Sequence, residues 1–244
     1  MKLNCDLGEA FGAWAMPVDE AIMSYIDQAN IACGFHAGDP AVMKRAIALA
    51  KQAGVSVGAH PAYPDLQGFG RRSMAIAPDD IKAMIQYQVG ALCGIALSQG
   101  CSVDYVKPHG ALYNDLMKDD ALRLAVMEAV AEIGQGKMAL MIQATPQRDE
   151  IAVQAQRLAL PLLFEAFADR RYTDDGYLTS RDKPGAVLSA QEAEEQVDLL
   201  ISTGMVKTES GDLLPLAADT LCVHGDSPGA VEMAARFSLV LRNV

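Results

Sequence analysis

The sequence predicts an α/β protein whose parallel strands close, or nearly close, into a barrel with fewer than eight regular strands. Seven short apolar runs alternate with longer helical patterns along the 244 residues, and the spacing suggests no β-hairpin. Alternating strands and helices favour a parallel sheet with helices packed outside it. The first apolar run and the last helical pattern lie at opposite ends of the chain, which suits a barrel. A doubly wound open sheet is the alternative that these observations leave open.

The strands are predicted from brief, nearly continuous apolar runs, because a strand buried on both faces has this appearance in sequence. In chain order they are 3–6, 30–35, 56–59, 104–107, 139–143, 162–166 and 220–223.

Helical patterns occupy most of the intervals. Asp39 suits an N-cap, Pro40 the first helical position and Gly54 the C-terminal stop of the first helix. Gly100 and Gly134 end the next two helices in the same way. The predicted helices cover 40–53, 79–98, 119–133, 150–158, 190–202 and 228–241. Segments 68–73 and 172–185 are predicted loops over one end of the sheet.

Composition limits the possible functions. Hydrophobic residues make up 51% and charged residues 21%, which is typical of a folded globular domain. No linker or repeat divides the chain, so we expect a single barrel domain over 1–244.

The net charge of −11 argues against nucleic acid and anionic membranes as partners. No run approaches the roughly 18 apolar residues of a transmembrane helix, and no signal-peptide core is present, so we expect a cytoplasmic protein. The five cysteines form no CxxC pair and are expected to be reduced.

All four histidines follow an apolar run: His36, His60, His109 and His224. In a parallel barrel the carboxyl ends of the strands meet at one rim, where active sites form. The sequence therefore predicts a polar site at that rim.

Other polar residues follow the same pattern. Asp6 and Glu9 end the first predicted strand, and Glu165, Asp169 and Arg170 end the sixth.

Two kinds of chemistry fit this set of residues. Asp6, His60, His109 and His224 could hold a divalent ion that activates a water molecule. The same groups could instead perform metal-free acid–base catalysis. Lys107 could polarise a carbonyl group, form a Schiff base or pair with a rim carboxylate.

Arg71 and Arg72 could hold an anionic substrate or lie on the solvated surface. The chain has no GxxxxGK[ST] loop for ATP phosphates, no HExxH zinc motif and no GxSxG nucleophile elbow.

Six segments, several of them long and specific, run from one end of the chain to the other. They are LNCDLGE (3–9), ANIACGFHAGDP (29–40), GAHPAYPDLQGFGRR (58–72), VKPHGALYN (106–114), FADRRY (167–172) and DTLCVHGD (219–226). Together they resemble the LamB/YcsF, or lactam-utilisation, family, which includes the A-type subunit of the prokaryotic ATP-dependent 5-oxoprolinase.

The resemblance implies an irregular seven-stranded β/α barrel, similar to glycoside hydrolase and polysaccharide deacetylase barrels. It implies cleavage of 5-oxo-L-proline (pyroglutamate) to L-glutamate, with ATP as co-substrate. It also implies two partner subunits, of the B and C types. One segment departs from the family: a glycine-containing stretch resembling GLAGS is common after the fifth strand, whereas here MIQATPQRDE places Gln143 and Pro146 in that rim loop.

For such a reaction, Asp6, His60 or His224 could deprotonate water, while Lys107 and His109 could stabilise the oxyanion. Arg71 or Arg170 could hold the substrate carboxylate. The expected catalytic residues are Asp6, His36, His60, Lys107, His109 and His224. The expected substrate-binding residues are Asn4, Glu9, Arg71, Glu165, Asp169, Arg170, Tyr172 and Asp226.

Two other functions remain open at this point. The chain could be a stand-alone metal-dependent hydrolase of amides or acetylated sugars, which would work without ATP. It could also be a non-catalytic subunit that captures a lactam and presents it to partner chains.

Overall fold

Seven parallel strands close into a barrel. The computed structural model describes residues 1–16, 18–225 and 229–242. In chain order the strands are β1 (Lys2–Leu7), β2 (Gln28–Ala32), β3 (Ser56–His60), β4 (Tyr105–Val106), β5 (Ala139–Gln143), β6 (Leu162–Phe167), β7 (Met205–Lys207), β8 (Leu213–Pro215) and β9 (Thr220–His224). The first six lie side by side in chain order, and β9 closes the barrel between β6 and β1. The predicted seven-stranded barrel is therefore confirmed, and the doubly wound open sheet is not what the chain forms.

Helices follow most of the strands and bury apolar faces against them. They are α1 (Val18–Ile22), α2 (Pro40–Ala53), α3 (Pro78–Ser98), α4 (Gly110–Lys118), α5 (Asp120–Gly134), α6 (Arg148–Arg157), α7 (Ala190–Thr203) and α8 (Ala230–Arg242). The ends of α2 are as predicted. The Asp39 side chain accepts hydrogen bonds from the second and third residues after it, and Gly54 ends the helix with a φ of 69°. Residue 228, where the last helix was predicted to begin, lies outside the described residues.

The predicted strand over 30–35 ends three residues early. After Ala32 the chain turns tightly, with φ values of 99° at Gly34 and 82° at Gly38. A Cβ atom at Gly38 would lie 2.6 Å from the carbonyl oxygen of Ala32, so only glycine fits at this position of the turn. This turn brings His36 back over the end of the barrel. The short helices α1 and α4 were not predicted.

The expectation that the chain contains no hairpin is wrong. β7 and β8 pair antiparallel outside the barrel, joined by a turn in which the Thr208 amide donates to the Asp212 carbonyl oxygen over 2.9 Å. Each strand has three residues, too few for a clear alternating pattern. The Ser210–Gly211 step of this turn was the available signal.

The remaining general predictions concern the cysteines, the loops and the membrane. All five cysteines are free thiols, as predicted. The two predicted loops contain no regular helix or strand. Within the described residues, no helix is both long enough and apolar enough to cross a bilayer.

Candidate active site

A cavity of about 380 Å³ opens at the carboxyl ends of the barrel strands. Asp6, Lys107 and His224 reach it from the strand ends, and residues of loops 68–73 and 172–185 form much of its wall. Its volume suits a small molecule. The rim at which the histidine positions predict a polar site therefore forms a cavity.

Lys107 lies at the centre of the barrel with its ammonium group between two carboxylates. Its Nζ atom is 2.7 Å from Asp6 Oδ1 and 2.8 Å from Glu165 Oε1. Burial alone would lower the pKa of Lys107, but the charges of Asp6 and Glu165 outweigh it and hold that pKa well above its usual range. Burial would likewise raise the pKa of Asp6, yet His60 and Lys107 hold it well below its usual range. The Tyr113 hydroxyl donates to the other Glu165 oxygen over 2.7 Å. Lys107 is therefore a fixed positive charge at the cavity floor.

Beneath this charge lies a layer of neutral polar side chains, of which the sequence analysis singled out only Asn4. Asn30 donates to Asn4 Oδ1 over 2.8 Å and to Asp6 Oδ1 over 2.7 Å, and it accepts from the Tyr105 hydroxyl over 2.6 Å. The Thr220 hydroxyl accepts from Asn4 and donates to Gln28. Side chains two apart on a strand share a face, so polar residues repeating at that interval in β1 and β2 were the signal.

Three histidines and a glutamate form a buried group, here called the histidine cluster: Glu9, His36, His60 and His109. Glu9 Oε1 is 3.2 Å from His36 Nε2 and 3.4 Å from His109 Nδ1. His60 Nε2 is 2.9 Å from His109 Nδ1, and the rings of His36 and His109 stack with centroids 3.8 Å apart. Burial lowers the pKa of His36 and of His109 well below the usual range. Neutral imidazoles are available here as bases or as metal ligands.

His224 and Asp169 form a separate pair on the other side of the cavity. His224 Nδ1 is 2.8 Å from Asp169 Oδ1, and its ring stacks on Phe167. The His224 side chain is 12% exposed and lines the cavity, whereas the Asp169 side chain is 2% exposed. A buried carboxylate that orients a histidine is the usual arrangement for general-base catalysis.

Four basic side chains surround the mouth of the cavity: Arg71, Lys118, Arg170 and Arg181. The Arg170 guanidinium donates to the backbone carbonyl of Thr179 over 2.7 Å, and burial lowers its pKa to about 10. Acidic side chains line the same cavity and partly balance this charge, namely Asp6, Glu9, Asp115 and Asp182, but the basic groups still offer positions at which an anionic ligand can bind. Lys118 and Arg181 were not predicted as site residues, because neither follows a strand.

Of the two adjacent arginines singled out in the sequence, only Arg71 lines the cavity. Arg72 turns away from it. Its Nε atom is 3.0 Å from both carboxylate oxygens of Asp65, and the pair stabilises the glycine-containing loop.

Several predicted residues lie behind the cavity wall. Asn4, His36, Glu165 and Tyr172 are fully buried and contribute no surface to the cavity. The Tyr172 hydroxyl accepts a hydrogen bond from the Phe167 amide, which ties the covering loop to its strand. Asp226 lies outside the described residues.

The departure from the family pattern after β5 lies beside the covering loop. The Gln143 side chain donates to the backbone carbonyl of Gly176 over 2.6 Å. A Cβ atom at Gly176 would lie 2.8 Å from the Pro146 ring. Gln143 and Pro146 therefore help to fix the 172–185 loop over the cavity.

The four residues predicted as ligands of a divalent ion fall into two groups that contact each other, since Asp6 Oδ2 is 3.3 Å from His60 Nε2. His60 and His109 belong to the histidine cluster. Asp6 and His224 gather instead with Cys222, and the donor atoms within each group lie within 4.8 Å of one another.

Comparison with known proteins agrees with the resemblance in the sequence. The LamB/YcsF family model matches residues 1–243. A Vibrio campbellii protein, named as the A-type subunit of 5-oxoprolinase, is 52% identical over 238 residues, which cover 97% of this chain and 94% of that protein. The protein of the same name from Vibrio cholerae is 50% identical over 242 residues, covering 99% of this chain and 97% of that protein. The lactam utilization protein from Thermus thermophilus, a solved structure, superposes with a TM-score of 0.89 at 38% identity, covering 100% of this chain and 97% of that one. A match over nearly the whole length, in sequence and in fold, shows that this chain belongs to the LamB/YcsF family.

Proposed function

We propose that this chain provides the site at which the lactam ring of 5-oxo-L-proline is opened to L-glutamate in an ATP-dependent 5-oxoprolinase. It acts there with B-type and C-type partner chains and with ATP as co-substrate. Relatives about 50% identical over nearly the whole chain are named as the A-type component of that enzyme. The small cavity, with its basic mouth and acid–base groups, suits a small carboxylate-bearing lactam.

The His224–Asp169 pair is the observation that carries this proposal. His224 Nδ1 donates to Asp169, which leaves Nε2 as the ring nitrogen that can take a proton. A water molecule in the cavity beside His224 would lose its proton to that nitrogen as it attacks the lactam carbon. Asp169 would stabilise the imidazolium that results.

The electrophile needs activation because a lactam is stabilised by amide resonance. Transfer of the γ-phosphoryl group of ATP to the lactam oxygen would give a better electrophile. This transfer would release ADP. Water would then add to that carbon, and the ring nitrogen would take the proton from the His224 imidazolium as its bond to the carbon breaks, which gives γ-glutamyl phosphate. A second water would hydrolyse the acyl phosphate to glutamate and phosphate. Lys107, at the cavity floor, would stabilise negative charge that develops on the oxygen.

Substrate binding falls to the basic mouth. Arg170, whose guanidinium donates to backbone carbonyls, lines the cavity together with Arg71. Either guanidinium matches a carboxylate in shape and charge. The neighbouring Lys118 and Arg181 would bind the added phosphoryl group.

The test measures glutamate release from 5-oxoproline by the purified chain, with and without ATP and with and without both partner chains. We expect release only in the complete mixture, and loss of at least about 100-fold in kcat for His224→Gln. Arg236→Ala, which removes an exposed ion pair with Glu194 on the outer surface, is the matched control. Wild-type turnover by His224→Gln, or no release from a complete and assembled mixture, would contradict the proposal.

The histidine cluster favours a second function, a stand-alone metal-dependent hydrolase of amides or acetylated sugars. Hydrolysis by the isolated chain without ATP, stopped by a chelator and restored by a metal ion, would identify it. The two functions thus differ in ATP dependence and in their need for partners.

A further inference from the structure

The ring nitrogens of His60 and His109 are held in one protonation pattern by the backbone, whereas His36 Nδ1 is buried without a hydrogen-bond partner. His60 Nδ1 is 2.7 Å from the carbonyl oxygen of Lys107. His109 Nε2 is 2.8 Å from the carbonyl oxygen of Phe69. A carbonyl oxygen only accepts hydrogen bonds, so both of these nitrogens carry the proton.

It follows that the other nitrogen of each ring presents a lone pair when the imidazole is neutral. Those two atoms, His60 Nε2 and His109 Nδ1, face each other across 2.9 Å. Two lone pairs at that distance repel unless a proton or a metal ion lies between them, and Asp6 Oδ2, 3.3 Å from His60 Nε2, can pair with either. In histidines that bind metals, the second ring nitrogen donates its N–H in this way to a backbone carbonyl or a carboxylate.

The imidazoles are packed closely, and two glycines leave the room for them. Gly70, at a φ of 65°, lies against it, and a Cβ atom there would be 2.7 Å from His109 Cδ2 and 2.9 Å from His36 Cβ. A Cβ atom at Gly110 would be 2.5 Å from the Gly70 carbonyl oxygen. Two neighbouring glycines therefore let the β3, β4 and 68–73 segments bring the imidazoles together.

The second group of possible ligands, Asp6, Cys222 and His224, differs in one respect. The Lys107 ammonium lies among its donor atoms, 2.7 Å from Asp6 Oδ1 and 3.2 Å from Cys222 Sγ. A cation already occupies this position, so a metal ion is expected in the histidine cluster instead.

We infer that Glu9, His36, His60 and His109 bind one divalent transition-metal ion. Three imidazoles and one carboxylate suit zinc and its neighbours such as cobalt and manganese. Tetrahedral zinc bonds of about 2.1 Å place donor atoms about 3.4 Å apart. The separations from Glu9 Oε1 to His36 Nε2 and to His109 Nδ1, 3.2 and 3.4 Å, are close to that spacing. This inference concerns metal binding and does not depend on which reaction the chain catalyses.

The test titrates chelator-treated protein with Co²⁺ and follows the visible absorption that cobalt gains from nitrogen ligands. Zn²⁺ and Mn²⁺ are measured by calorimetry. We expect one ion per chain, and a Tm that rises with metal concentration because the ion binds the folded state. Glu9→Gln and His109→Gln should each weaken binding at least about tenfold. His224→Gln is the matched control, a cavity histidine outside the cluster, and should bind as the wild type does.

Two results would overturn the inference. One is the absence of saturable binding of all three ions to folded protein, which would mean that His60 and His109 share a proton instead. The other is binding that survives both cluster substitutions but is lost in His224→Gln. Circular dichroism of each variant checks that it folds. If His109→Gln does not fold, Glu9→Gln alone tests the inference. Because every readout is binding, failure here is separate from failure of the proposed lactam chemistry.

Discussion

Replacing Lys107 by methionine tests whether the barrel interior depends on one buried positive charge. Methionine keeps most of the side-chain volume but removes the ammonium between Asp6 and Glu165. Both carboxylates would then be buried without their shared counter-ion. We expect a large loss of stability, and we expect its size to depend on pH.

The distances set the magnitude. At separations of 2.7 and 2.8 Å, and with an effective dielectric constant of about 20, each ion pair is worth about 6 kcal/mol of gross attraction. Desolvation of the ammonium offsets much of this in the wild type. Removing one partner of a buried pair costs about 3–5 kcal/mol. Since one lysine here serves two carboxylates, we expect the loss in free energy of unfolding to be near the upper end, about 5 kcal/mol.

The pH dependence follows from the carboxylates. In the wild type the pKa of Asp6 is held low, so its contribution to stability is present at neutral pH and is lost only as the pH falls through that low value. In Lys107→Met the Asp6 carboxylate loses a positive charge that lowers its pKa, so it takes up a proton more easily and the penalty is relieved as the pH falls. Urea unfolding at pH 5.5 and 8 should therefore show a larger difference between variant and wild type at pH 8. Adding Glu165→Gln to the variant should recover part of the loss. A cost below about 1 kcal/mol, or one independent of pH, would refute the reasoning.

Three further predictions test the barrel and the site. Gly58→Ala should cost at least about 3 kcal/mol in urea unfolding, because its Cβ would lie 2.2 Å from the buried Tyr105 ring. Gly94→Ala in α3, where a Cβ meets nothing within 4 Å, should be neutral or stabilising by up to about 1 kcal/mol; equal effects of the two would contradict the packing argument. Asp169→Asn should lower kcat about 10²–10⁴-fold in the assembled enzyme while the chain still folds, and an unchanged kcat would exclude the pair as the base. Gln143→Ala should raise KM more than it lowers kcat, since it frees the loop over the cavity; steady-state kinetics at saturating ATP would separate the two effects.

The sequence predicted the features that depend on local chemistry. Strand positions followed from apolar runs, and the ends of α2 followed from Asp39 and Gly54, whose capping roles need only their immediate neighbours. The collection of histidines at one rim also followed, because all strands of a parallel barrel end on the same side. These predictions need at most the order of strands and helices along the chain. None needs to know which residues of neighbouring strands are paired.

The division of the histidines could not be predicted in this way. It depends on which strands are neighbours around the closed barrel. Asp6 pairs in register with Asn30 on β2 and with His224 on β9, at opposite ends of the chain order. The tight turn after β2 then places His36 beside Glu9 instead of extending the strand. Closure of the barrel and that single turn decide which nitrogen faces which carboxylate.

The interior of the closed barrel is polar. Alternate residues of each strand point inward, so the barrel is filled in layers. A lower layer of neutral groups includes Asn4 and Thr220, and an upper layer holds Asp6 and Lys107. Asn30 joins the layers, since its amide donates to Asn4 and to Asp6. An apolar floor would leave the Asp6 carboxylate short of hydrogen-bond donors and would raise the cost of keeping it charged. The neutral layer is therefore what allows an ammonium and its carboxylates to stand at the base of a cavity. Substitutions there should alter the chemistry of the site without touching its ligand.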